Sequence, residues 1–174
     1  MKIITTFIFC IILISVSNIK YASSLFYSPT PIRYNVEVME FSGKDMECLA
    51  KNIYFESKNQ HDYGKFAVAN VTLNRVRNPK FPNSICAVVF QPSKNPKKRH
   101  LCQFSWWCDG KPDIIRDKKA YERSRDIAIL AILHQDKDIT LGATHYHADY
   151  VRPWWAKKLQ KTVKIGSHIF YRSM

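Results

Sequence analysis

The spacing of apolar residues changes along the chain, and that change constrains the fold more than any single motif. Met46, Leu49, Ala50 and Ile53 recur at three- and four-residue intervals, as do Ala67, Val68 and Val71 and then Leu73 and Val76, and again Ile127, Leu130, Ala131 and Leu133. That is the period of helices burying one stripe. In "KTVKIGSHIFYR", residues 161–172, apolar and polar residues alternate about Gly166-Ser167, the pattern of two strands joined by a tight turn. Helices come first and small strands follow, which predicts an α+β, helix-dominated single domain with small β-hairpins in its second half.

The helix limits are written in capping residues. Ser42-Gly43-Lys44-Asp45 offers a hydroxyl to cap the first amides and an acid three residues on, so a helix is predicted from there to about Glu56. A second is predicted from Asp62 to Arg77, stopping before Asn78-Pro79, and a short third from Ile85 to Phe90 after Phe81-Pro82-Asn83-Ser84. Asp117 opens a long fourth helix to about His134. "CQFSWWC", residues 102–108, reads as a short strand or hairpin edge, and "QPSKNPKKRH", residues 91–100, as a solvated basic loop that also suits a polyanion contact. No internal repeat or low-complexity tract is present.

Ahead of this domain, Met1-Lys2 and a nearly unbroken apolar run from Ile3 to Val16 precede the small residues Ala22-Ser23-Ser24. Residues 1–24 are therefore predicted to be a secretory signal peptide, or a signal anchor if uncleaved. Residues 25–41, with Pro29 and Pro31 and no sustained period, form an expected arm or linker, leaving 42–174 as the folded domain. Removing residues 1–24 takes away Lys2 and Lys20 and no acid, so 25 Lys and Arg stand against 14 Asp and Glu. An excess of that size predicts attraction to a polyanion. For an exported protein the cell wall and the anionic envelope are more economical partners than nucleic acid, and a monomer is expected.

Four cysteines remain beyond Cys10: Cys48, Cys86, Cys102 and Cys108. An even number in an exported chain predicts two disulfides, with three pairings open. No CxxC spacing occurs to favour zinc, and no metal or other cofactor is predicted.

The stretch "NIYFES", residues 52–57, carries the candidate chemistry. Glu56 follows Ile53 by three positions, which sets it close to the buried stripe near the end of the first helix, directly after Tyr54 and Phe55. A helix C-terminus and an apolar setting both disfavour a carboxylate anion. Both raise the pKa towards a carboxyl still protonated near neutrality, the state a general acid requires.

Over roughly residues 45–172 the chain resembles the cell wall hydrolase family typified by the spore-cortex-lytic enzyme SleB. The resemblance is carried by "CLAKNIYFES", "GKFAVANVTLNRVRNPKFPNSICAVVFQ", "CQFSWWCDGK", "GATHYHADYVRPWW" and "IGSHIFYR" in that order. It implies a lysozyme-like fold, peptidoglycan as substrate, and lytic transglycosylase cleavage of the glycan strand with Glu56 as the catalytic acid. It also implies that Gln103, Phe104, Ser105, Tyr146 and His147 bind substrate. Two departures stand out: Gln60 occupies a place where many members carry a second glutamate, and Ser57 one where alanine is common. Hydrolysis at the same bond and noncatalytic wall binding are the alternatives, the latter motivated by Gln60.

Other residues carry competing readings. Asp109, before Gly110, suits a turn, and Asp149 a strand end; either would be the second carboxylate of a hydrolase. On a strand, His145 and His147 would share a face with Tyr146 opposite, as a metal pair with Asp149, as a saccharide contact, or as an ordinary polar edge. In each of the pairs Trp106-Trp107 and Trp154-Trp155 one ring is expected to pack inward rather than stack on sugar. Asn74 and Arg75, in mid-helix, are expected to make structural hydrogen bonds or ion pairs.

Overall fold

The computed structural model describes residues 40–93 and 102–174. The expected signal segment, most of the expected arm and the basic loop from residue 94 lie outside the described residues. Four α-helices run from Gly43–Ser57 (α1), Asp62–Arg77 (α2), Ile85–Val89 (α3) and Lys118–Leu133 (α4). The strands His145–Ala148 (β1), Gln160–Ile165 (β2) and His168–Arg172 (β3) form an antiparallel sheet in the order β1-β3-β2. Short 3-10 turns cover Ser105–Cys108 and Trp154–Lys158. This is the α+β, helix-dominated architecture that the apolar spacing predicts.

The capping residues act as the sequence implies. Ser42 Oγ accepts from the Asp45 amide at 3.1 Å, and Asp45 reaches back to the Ser42 amide at 3.3 Å. Asp45 Oδ1 also accepts from the Cys86 amide at 3.3 Å, so one acid ties the start of α1 to α3. The Cys48–Cys86 disulfide joins the same two helices, and Cys102–Cys108 closes the loop around the first 3-10 turn. That second disulfide corrects the strand expected for 102–108. An extended strand would separate its ends by roughly 20 Å, whereas the two Cα atoms lie 6.2 Å apart.

The main core gathers Leu49 and Ile53 of α1, Leu73 of α2, Ile85, Val88 and Val89 of α3, and Ile127, Ala128 and Ala131 of α4. A smaller cluster, Ala67, Val71, Ala143 and Phe170, fixes α2 to the sheet. α2 is thus buried on more than one side, and Ala67–Leu73 are all buried. Its small and β-branched residues allow neighbours to close in all round, so it is the central helix rather than a surface helix with a single stripe. Among the described residues no helix is long and apolar enough to cross a membrane.

Candidate active site

Glu56 sits in the last turn of α1, half-buried, and lines a groove of about 200 Å³ with Phe55, Lys58, Gln60, Ser167 and His168. The helix ends there in an ordered way. Lys58 N–H donates to the Tyr54 carbonyl at 3.1 Å, and Ser57 Oγ donates to the Ile53 carbonyl at 2.7 Å. The hydroxyl that distinguishes Ser57 from alanine is therefore satisfied inside the helix.

Around the carboxyl, three elements converge. From β1, the Tyr146 hydroxyl donates to Glu56 Oε2 at 2.8 Å. From α2, Arg75 is buried, its Nε donates to the Thr144 carbonyl at 2.8 Å, and its guanidinium lies 5.4 Å from the centre of the Phe81 ring and 4.7 Å from that of Phe104. From the first 3-10 turn, Trp106 stacks on Phe55 with ring centres 4.5 Å apart, and its Nε1 donates to Asn52 Oδ1 at 3.0 Å. Asn52 in turn donates to Thr72 Oγ1, so α1, α2 and the turn are locked together one helical turn before Glu56.

These neighbours act on Glu56 in opposite directions. Burial raises its pKa and is the largest influence; the Tyr146 hydrogen bond and the positive charge of Arg75 pull it down, and the net displacement is upward. Tyr146 is pushed well above its ordinary value, first by burial and then by the Glu56 charge, so it remains a donor. Burial lowers Arg75 to about 10, which leaves it charged at neutral pH. His145 is held down to about 4 by burial and by Arg75, so it is neutral there.

On the other flank, Gln60 spans the groove. Its Nε2 donates to Ser167 Oγ at 2.6 Å, and its Oε1 accepts from the Ser167 amide at 3.2 Å. Gly166, at φ +57°, makes that turn, and a Cβ there would run into Gln60 Oε1. The Gln60 amide is thus a clamp between the end of α1 and the β2–β3 turn. His168 completes this wall: it is 8% exposed, packs edge-on against Tyr146, and its Nδ1 has no partner among the described residues.

The expected substrate contacts are distributed unevenly. Tyr146 reaches Glu56, but its hydroxyl is engaged in orienting the carboxylate. His147 is not brought to Glu56, because strand alternation turns it to the opposite face of β1, where its Nε2 lies 3.0 Å from Tyr171 Oη and its ring stacks on Tyr171. Phe104 is 2% exposed beneath Arg75, where a saccharide has no access to its ring. Gln103 and Ser105 are exposed on either side of it and do not line the Glu56 groove. Asp109 makes a turn by accepting from the Lys111 amide, and Asp149 pairs with Lys164 at 2.8 Å; neither lines the groove. His145 and His147 both face Trp155, and among the described residues no group of three His, Cys, Asp or Glu side chains could hold a metal.

Sequence reasoning left out His168 and treated Arg75 as structural only. His168 lay within the quoted "IGSHIFYR", and its pairing two residues before Phe170 on a half-buried strand was the available signal. Arg75 does make the structural bond expected of it, but a buried guanidinium among the apolar residues of α2 also marks a site of unusual electrostatics.

A family model described as Cell Wall Hydrolase matches residues 59–171. The segment opens just past Glu56. The spore cortex-lytic enzymes of Halalkalibacterium halodurans and Bacillus subtilis are 30% and 28% identical over 75% of this chain and over 35% and 38% of their own lengths. The chain therefore spans little more than a third of the length of these curated relatives. Among solved structures, the catalytic domain of the Bacillus cereus SleB protein aligns with a TM-score of 0.61 at 28% identity, covering 76% of this chain and 93% of that one. The catalytic domain of the germination-specific lytic transglycosylase SleB from Bacillus anthracis gives 0.57 at 30% identity, covering 76% and 97%.

Proposed function

Since the chain belongs to the cell wall hydrolase family, we propose that it cleaves peptidoglycan glycan strands between MurNAc and GlcNAc as a lytic transglycosylase, with Glu56 as acid and then base. The observation that carries this reading is a half-buried carboxyl with a raised pKa, oriented by Tyr146, in a groove whose described lining includes no second carboxylate. Glycoside hydrolases commonly use two carboxylates, one as acid and one as nucleophile or base. A single acid suffices when the substrate supplies its own nucleophile.

In the proposed reaction Glu56 donates its proton to the bridging oxygen, and the bond from MurNAc C1 to that oxygen breaks with its electron pair on the departing GlcNAc. The C6 hydroxyl of the same MurNAc then attacks C1 and loses its proton to the Glu56 carboxylate. A 1,6-anhydroMurNAc end results, and Glu56 returns to its protonated state with no water consumed. Arg75 and Tyr146 stabilise the carboxylate between the two half-reactions, while burial keeps it from ionising too early. The basic excess and the apolar leader are consistent with an exported protein working at the cell envelope.

Product analysis on purified sacculi tests the whole scheme. Mass spectrometry of fragments released by the purified protein is expected to show anhydro ends. Ends carrying an added water would make it a hydrolase, and no fragments at all would leave a noncatalytic wall-binding protein. Glu56→Gln is expected to abolish release while leaving the circular dichroism spectrum unchanged; retained release would remove Glu56 from the role.

A further inference from the structure

A second groove, of about 650 Å³, lies on the other face of β1 from Tyr146 and Glu56, bounded by His147, Arg152, Trp154, Lys157, Lys161 and Tyr171. Its volume is within the range that ordinarily holds a small-molecule ligand. Three cations and no acid line it. Lys157 and Lys161 have no carboxylate partner among the described residues, and the nearby Asp149 is already neutralised by Lys164. Arg152 is fixed in place by donating Nη1 to the Asp149 carbonyl at 2.7 Å.

The groove is also built rather than incidental. Trp155 packs against His145, His147 and Tyr171, which pins the second 3-10 turn to the sheet. One position earlier, Trp154 is turned outward and is 73% exposed, with Lys158 Nζ 5.0 Å from its ring centre. The exposed indole therefore stands in one groove with Lys157 and Lys161, which lack carboxylate partners among the described residues. That combination suits a ligand that presents both an apolar face and negative charge.

We propose that this groove is a second, noncatalytic saccharide site that holds carboxylate-bearing stretches of the glycan strand: Trp154 carries the apolar face of a pyranose, and Arg152, Lys157 and Lys161 receive the carboxylates of attached peptide stems. The assignment rests on peptidoglycan being the polymer that the protein engages, as proposed above. A polyol phosphate polymer offers the charge without the ring, so it engages the lysines but gives Trp154 no pyranose to stack on.

The test uses the full chain carrying Glu56→Gln, so that binding is read without cleavage. Three probes are titrated calorimetrically: glycan strands bearing tetrapeptide stems, the same strands stripped of stems by an amidase, and polyglycerol phosphate. The stem-bearing strands are expected to bind most tightly and to weaken as salt is raised. In the same background, Lys157→Glu with Lys161→Glu is expected to lower that affinity by at least about tenfold, and Trp154→Ala to lower affinity for stem-bearing and stripped strands alike. All three side chains are exposed, and unchanged thermal melting confirms that the variants fold. Equal affinity of parent and lysine variant for stem-bearing strands overturns the proposal, as does a lysine effect seen only with polyglycerol phosphate. If the unmutated protein releases no glycan fragments yet the groove variants still lose stem-dependent binding, the catalytic reading fails and this one stands.

Discussion

Glu56 is balanced between burial, which favours its neutral form, and Tyr146 and Arg75, which favour its anion. Two predictions belong to this side chain and its neighbour. Because the net shift is upward, the folded protein binds a proton at Glu56 that the unfolded chain has already lost. The stabilising effect of that proton is complete below the ordinary glutamate range and is lost as pH rises through the raised value. Glu56→Gln removes the dependence, so the variant should gain stability over the parent as pH climbs through that window, read from denaturant midpoints at several pH values. At position 60, a glutamate would still accept from both Ser167 groups, with the serine hydroxyl turned to donate. Its added negative charge beside Glu56 would disfavour a second anion. Gln60→Glu should therefore fold normally and carry the alkaline limb of the activity profile to higher pH; an unmoved limb would show that position 60 is electrically remote from the acid.

At the scale of elements, the C-terminal half of α2 organises the route into β1. Asn74 Nδ2 donates to Asp138 Oδ2 at 2.9 Å and to the Ala143 carbonyl at 3.0 Å, while Arg75 holds the Thr144 carbonyl. Asp138 in turn accepts from the amides of Thr140 and Gly142. This loop delivers Tyr146 to Glu56, so its order is part of the site. Asn74→Ala should cost about 1–3 kcal/mol in chemical denaturation, as expected when polar groups lose a shared partner. Activity should fall further than the small loss of folded fraction explains. Gly166→Ala should likewise destabilise the β2–β3 turn, since it meets both a left-handed backbone and Gln60. Helix starts at Ser42 and Asp117 were legible in sequence because capping is local chemistry between residues three apart. The first 3-10 turn was not legible, because a disulfide closing on itself decides that geometry.

For the whole molecule, the Cys48–Cys86 disulfide spans 38 residues and bridges α1 to α3 within the main core. In the chain-entropy view a closed loop of this length contributes about 4 kcal/mol by restricting the unfolded ensemble. Replacing both cysteines with serine should lower the melting temperature clearly, with a loss of about 2–5 kcal/mol, and reducing agent should then have a much smaller further effect than on the parent. An unchanged melting temperature would mean that helix packing alone carries the fold.

The helices, the closing hairpin and the position of Glu56 at a helix end were determined by the sequence itself, because each depends on periodicity or capping within a few residues. The family resemblance implied a catalytic role for Glu56 and substrate binding for Tyr146, and the structure shows the Tyr146 hydroxyl on the Glu56 carboxyl. Tertiary structure alone decided that His147 faces away, that Phe104 is buried under Arg75, and that Gln60 clamps Ser167. It also decided which cysteines pair. The physical reason is common to all of these: which groups meet across α1, α2 and the sheet depends on how distant segments pack, and a side chain's neighbours at long range set its burial and charge environment.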